Sequence, residues 1–370
     1  MRGTDLKECH GNGIMRDAGR RTCAAGHRYG ANKEHFYMEI SLFGTLSGRE
    51  VRRYTLCGEG IELSVLDYGA AVQSLVVDGV ETVMNFDTPE DYRDRGGYVC
   101  LAVGRVANRI AGAEFSIGDK KYSLAKNEGE NQLHGGFFGF SNRFYDAEEH
   151  DGTLRLSAIL PDGEDGYPGN MRLNIDFSVS GRSVMIKYTA TSDKDTVFAP
   201  THHFYFNLNG AAGRAGTQPL AIYSDGYIPV DGELIPLGFV APVAGGEYDF
   251  RAARTPKRGG GGIYDCCFVL RDAHAATLTG NKSGIKLDIY TDMPGLQLYT
   301  GAALSEKSEG ETGNGAENET ENGAPHRSGI ALEPQYIPNA VNMPDFETPL
   351  LPAGETAEHY IKLSFSHDCK

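Results

Sequence analysis

The sequence predicts an all-β protein, a large antiparallel β-sandwich, with a broad barrel the variant that the same pattern allows. Three observations carry that prediction. Apolar residues recur at every second position in several short stretches, glycine supplies 48 of 370 residues, and no stretch shows the 3.6-residue periodicity of a long amphipathic helix. Strict alternation gives a strand one face to bury and one to wet, and glycine-rich punctuation supplies the turns.

Taken in order, Met1 to Lys33 is rich in Gly, Arg and Lys and almost without aliphatic periodicity. Residues 1–37 are therefore expected to be a disordered extension, or a stretch ahead of a true start near Met38, beside a single domain spanning 38–370. Cys9, His10, Cys23 and His27 fall in that extension, at spacings that match no standard zinc pattern. Ile61 to Leu66 alternates and breaks at Asp67-Tyr68-Gly69. Val99 to Val103 is an apolar strand ending at Gly104. Phe115–Ile117, Gly118-Asp119 and Lys121–Leu124 read as strand, turn, strand. Leu154 to Ile159 alternates, and Met171, Leu173, Ile175, Phe177 and Val179 keep period two before Ser180-Gly181-Arg182 turns into Val184, Ile186 and Tyr188, a hairpin. Ile285–Ile289 and Tyr360–Ser366 continue the style. Residues 305–327 are rich in Glu, Gly and Asn and predict a solvated acidic loop.

A net charge of −15 argues against nucleic acid or an anionic membrane as partner. No apolar run approaches the roughly 20 residues of a membrane span, and no signal-peptide core follows the N-terminus. Seven cysteines are scattered without a CxxC, which predicts reduced thiols in a cytoplasmic protein.

Four polar clusters interrupt the β pattern. Pro200 to Leu208 places His202 and His203 among large rings; on a strand Thr201, His203, Tyr205 and Asn207 share one face and His202, Phe204 and Phe206 the other. Imidazole titrates near neutral pH, so a histidine held there suits general acid or base work. Asn108 and Arg109 follow Gly104, and a guanidinium fork suits the oxygens of a polar ligand. His134 sits in a turn before Gly135 and Gly136, where loop geometry decides its direction. Glu333 stands before Pro334 at the end of an apolar strand, at the rim of the core, where partial desolvation raises its pKa toward use as a base. Asp265 and Gln297 are weaker signals of the same kind. No HxH, HxxxH, GxSxG or phosphate-loop spacing occurs. The set suits proton transfer on a polyhydroxylated ligand.

Several blocks, in order, resemble the galactose mutarotase (aldose 1-epimerase) family. GRVANRIAGAEFSIGDKKYSLAKNEGENQLHGGFFGF resembles its long signature, THHFYFNLNG its TNHSYFNL box and IYDCCFVL its YDHNFVL-like segment, while PGLQLYTG and IALEPQYIPNAVNMPDF match further on. The resemblance spans about Met38 to Phe365. It implies a mutarotase-like β-sandwich that interconverts the α and β anomers of free aldohexoses such as D-galactose and D-glucose, with no metal or cofactor. It implies Glu333 as catalytic base and His203 as catalytic acid, with Asn108, Arg109, His134, Asp265, Gln297 and Tyr205 binding substrate and Tyr167 as a groove wall. The expected partner is the sugar alone, met by a monomer or homodimer. His202 stands where the family usually has Asn, facing away from the chemistry, and Asn339 stands where Asp is frequent, which bears on substrate range. Two other readings stay open: an epimerase of a phosphorylated hexose, for which only Arg109 and Arg143 offer positive charge, and a non-catalytic carbohydrate-binding protein of the same fold.

Overall fold

The computed structural model describes residues 38–210, 215–259, 262–304 and 327–367. The N-terminal extension with Cys9, His10, Cys23 and His27, and the acidic stretch 305–326, lie outside them.

Three antiparallel sheets organise the described chain. The largest has eight strands in the order Asp146–His150, Thr153–Leu160, Met171–Ser180, Ser183–Ser192, Thr356–His367, Ile285–Thr291, His274–Thr279 and Leu220–Ile222. Its centre is the hairpin that alternation predicts. Leu173, Ile175 and Phe177 stand opposite Ala190, Tyr188 and Ile186, all of them buried, and the residues between them are wetter. Gly181, at φ +53°, takes the left-handed turn position that the two-residue connection needs. Each such apolar side chain stabilises the fold by about 1.5–3 kcal/mol when buried, which is why a one-residue slip is not tolerated.

A six-stranded sheet runs Tyr205–Phe206, Arg327–Gln335, Gly295–Leu304, Asp265–Leu270, Ser224–Ile228 and Ala241–Pro242. A five-stranded meander covers Met38–Leu46, Arg49–Gly58, Ile61–Leu66, Val72–Val77 and Val80–Glu81. Apolar residues from all three sheets join one hydrophobic core. His202 marks the seam between layers: its ring meets Phe177 of the large sheet at 5.9 Å and Phe204 at 4.6 Å. The one α-helix among the described residues, Pro89–Asp94, begins with proline and is capped by the Thr88 hydroxyl.

Three expectations need correction. Of the apolar run 99–103 only Ala102–Val103 is strand, because Cys100 and Leu101 turn to meet His203, exchanging backbone hydrogen bonds with it. Pro200–Leu208 is not one strand but two short ones, Thr201–His202 and Tyr205–Phe206, which pair with different sheets, yet the predicted alternation of faces survives the break. Not all thiols are reduced: Cys57 is disulfide-bonded, whereas Cys100, Cys266 and Cys267 are free and buried.

Candidate active site

Register in the six-stranded sheet builds one wall of the site. Directly opposed residues of antiparallel strands lie on the same face. Cys267 pairs with Gln297, and Gln297 pairs with Glu333, so these side chains form one row across three strands. Two residues along, Asp265, Tyr299, Ala331 and Tyr205 form the next row.

Glu333 departs from its expected place at the rim. The strand continues through Pro334 to Gln335, and Glu333 is only 2% exposed. Proline is tolerated there because the Tyr205–Phe206 strand pairs no further than Ala331, and the Pro334 carbonyl accepts from the Thr201 hydroxyl instead (2.6 Å). His203 stands beside it, with Nε2 3.4 Å from Glu333 Oε1. His203 Nδ1, Glu333 Oε2 and Gln297 Oε1 are buried without a protein partner. Buried polar atoms are ordinarily satisfied, so three orphans on one wall mark a surface shaped for a polar ligand.

Burial drives the electrostatics of this pair. It pushes the Glu333 carboxyl well above its ordinary value, and the nearby Asp265 charge adds to the effect. It pushes the His203 imidazole down to about 4. Each shift sharpens a proton-transfer role: a raised carboxyl is the stronger acceptor once ionised, and a depressed imidazolium the stronger donor once charged. Burial also raises Asp265, while Arg109 and a 2.6 Å hydrogen bond from Gln297 Nε2 pull it back.

The second wall comes from a turn that meets a short strand. Gln132–Leu133 pairs with Arg109–Ile110, and the Asn108 carbonyl accepts from the His134 backbone N–H (3.1 Å). In return the Asn108 N–H donates to His134 Nδ1 (3.2 Å). Because Nδ1 accepts, the neutral ring carries its proton on Nε2, and burial holds it neutral by lowering its pKa. Asn108 and His134 both adopt left-handed backbone, at φ +62° and +53°. Gly135 lets the turn close: a Cβ there would lie 1.9 Å from the Gly104 carbonyl oxygen.

The two walls meet. Asn108, Arg109, Asp265, Gln297, Cys266 and Cys267 line the same pocket, and the His134 and His203 rings lie 5.3 Å apart, edge to face. All eight candidate residues are thus gathered. Tyr205 lies 4.9 Å from the His203 ring and gives its hydroxyl proton to the Gly97 carbonyl, so it walls the histidine. Tyr167 is not a groove wall: it is fully buried, donates to Gln132 and braces the loop beneath His134. His202 faces the core, bonded to the Tyr188 hydroxyl and the Cys100 carbonyl at 3.0 Å each. Asn339 accepts from the Ala111 N–H and donates its own N–H to the Arg109 carbonyl, bracing the Arg109 strand.

Three neighbours were not found from the sequence. Tyr98, in left-handed backbone at φ +51°, lays its ring 4.5 Å from His134 and 6.1 Å from His203. Its position after Gly96-Gly97 was the available signal. Glu128 binds Arg109 with both oxygens, at 2.8 and 2.6 Å, and only its place in the Asn131–His134 neighbourhood hinted at that. Cys267 enters the wall through its register with Gln297, which nothing in the scattered cysteine spacing signals.

Known proteins share this chain's sequence and fold. The family model described as aldose 1-epimerase matches residues 52–364. Galactose mutarotase from Mus musculus is 33% identical over 345 residues, covering 88% of this chain and 98% of that one. Maltose epimerase from Levilactobacillus brevis is 31% identical over 351 residues, covering 89% and 99%. Among solved structures, galactose 1-epimerase from Lactobacillus acidophilus superposes with a TM-score of 0.77 at 26% identity, covering 90% of this chain and 99% of its own.

Proposed function

The chain belongs to the aldose 1-epimerase family, and we propose that it interconverts the α and β anomers of free aldohexoses, D-galactose and D-glucose among them, with Glu333 as base and His203 as acid. The observation that supports these roles is a buried carboxylate and a buried imidazole 3.4 Å apart, with an unpartnered oxygen on the first and an unpartnered nitrogen on the second.

Ring opening of a hemiacetal needs a proton removed from the C1 hydroxyl and a proton delivered to the ring oxygen O5. Glu333 takes the first, the O1–H electron pair becomes the carbonyl bond, and the C1–O5 bond breaks as His203 protonates O5. Rotation about C1–C2 presents the other carbonyl face, and the reverse transfers close the ring as the opposite anomer. The His134 Nε2–H and Arg109 act as donors to ring and hydroxyl oxygens, and Asp265 and Gln297 Oε1 accept from hydroxyls. Water excluded from the buried pair strengthens every one of these contacts. As part of the same proposal the enzyme works in the cytoplasm as a monomer or homodimer, on the sugar alone and without a cofactor.

A phosphorylated sugar would require free cations. Arg109 is paired with Glu128, and Arg143 is paired with Glu164 away from the pocket, so that reading is not favoured. Optical rotation of freshly dissolved α-D-galactose and α-D-glucose tests the proposal. The protein should speed the approach to anomeric equilibrium for at least one of them; decay no faster than in buffer for either refutes it.

A further inference from the structure

Arg109 is a cation on the pocket wall, and its fork is already engaged. Nε donates to Glu128 Oε2 at 2.8 Å and Nη2 to Glu128 Oε1 at 2.6 Å, a bidentate pair. Nη1 bonds no described residue. The Arg109 side chain is 12% exposed and Glu128 35%, so the pair sits at the mouth of the pocket, only partly screened by solvent. Glu128 is fixed by its own turn, exchanging backbone hydrogen bonds with Asn131, whose side chain also donates to Glu233.

The other charges around the pocket point the same way. Asp265 and Glu333 lie on the sheet wall. Arg258, whose charge reaches Cys266, is itself bound to Glu247 at 3.0 Å. Both arginines are therefore paired with a carboxylate, and the one on the pocket wall, Arg109, is held by Glu128.

We propose that Glu128 is the residue that sets charge selectivity at this site: by holding the Arg109 fork it directs the remaining Nη1 donors at neutral hydroxyls and withholds the guanidinium charge from sugars that carry a carboxylate. This rests on the site being an aldose pocket. A guanidinium left unpaired would offer a carboxylate the same bidentate geometry that Glu128 now fills, so the acidic sugar and Glu128 compete for one fork. At pocket-mouth distances a single charge alters the affinity of a charged ligand by roughly tenfold.

The experiment compares wild type, Glu128→Gln and Glu128→Asp for binding of D-galactose and D-galacturonate by titration calorimetry, with mutarotation rates measured in parallel by polarimetry. In Glu128→Gln the preference for galactose over galacturonate should fall at least about tenfold, more so at low salt, and the galactose rate should drop mainly through KM. Glu128→Asp should restore the preference in part. If the preference in Glu128→Gln stays within about twofold of wild type while galactose activity falls, Glu128 only braces its loop and the proposal is overturned. Wild type that binds sugars with this selectivity but does not speed mutarotation would leave the selectivity role standing and remove the catalytic one. Wild type that binds neither sugar overturns both.

Discussion

Glu333 and His203 are close enough to titrate as a pair, and burial favours the neutral form of each. The neutral pair and the carboxylate–imidazolium pair hold the same number of protons, so moving one between them does not depend on pH. Activity should therefore form a broad plateau. Its acid limb appears when a second proton is added, displaced below the ordinary histidine value of 6.5 because burial depresses His203 to about 4. Its alkaline limb appears when the shared proton is lost, displaced above the ordinary carboxylate range because burial raises Glu333. The check is kcat/KM against pH; a single limb centred on the ordinary histidine value would contradict a shared proton. Residue identity in this site was readable from the sequence wherever a family motif carried it. Partnership was not: nothing in the chain order announces that Glu128 holds Arg109, or that Tyr98 covers two histidines, since both are contacts across loops.

At the scale of elements, two devices aim the site: strand register, which lines Cys267, Gln297 and Glu333 in a row, and the Gly135 turn, which aims His134. The second is open to direct test. Gly135 has φ +85° and no room for a Cβ beside the Gly104 carbonyl. Gly135→Ala must strain the backbone by about 1–3 kcal/mol and push the turn outward, so His134 loses its place more than the fold loses stability. A fall in kcat/KM of roughly ten- to a hundredfold, with secondary structure unchanged by circular dichroism, is expected; full activity would show that the turn does not position His134. Alternation made the 171–192 hairpin and the 61–66 and 285–289 strands legible, because a strand with one buried face writes period two into its sequence. It failed at 99–103 and 203–204, where buried residues run on without alternation and tertiary hydrogen bonds decide the conformation.

For the whole molecule, buried imidazoles set the response to acid. His202 and His203 have their pKa pushed down to about 3 and about 4 by burial, against 6.5 when exposed, and His134 is lowered as well. The unfolded chain then binds more protons than the folded one below that value. Stability is whole above about pH 6.5 and is lost as pH falls through the interval toward 4. Glu333 acts in the opposite sense, since its raised carboxyl costs stability as pH climbs past the ordinary carboxylate range. Urea midpoints should drop between pH 7.5 and 5. His202→Asn should flatten that drop, because it removes a titrating group from the core, while leaving kcat within about twofold because the ring faces away from the pocket. An unchanged slope in the variant would show that His202 does not contribute.

The most direct measurement of the central claim is anomeric exchange at equilibrium, followed by NMR magnetisation transfer between the α and β C1 protons of galactose, with wild type and Glu333→Gln. The expected result is exchange faster than in buffer for wild type and at least about a hundredfold slower for the variant, with galactose still bound. A Glu333→Gln protein that binds galactose and exchanges its anomers at the wild-type rate would contradict the assignment of Glu333 as the base.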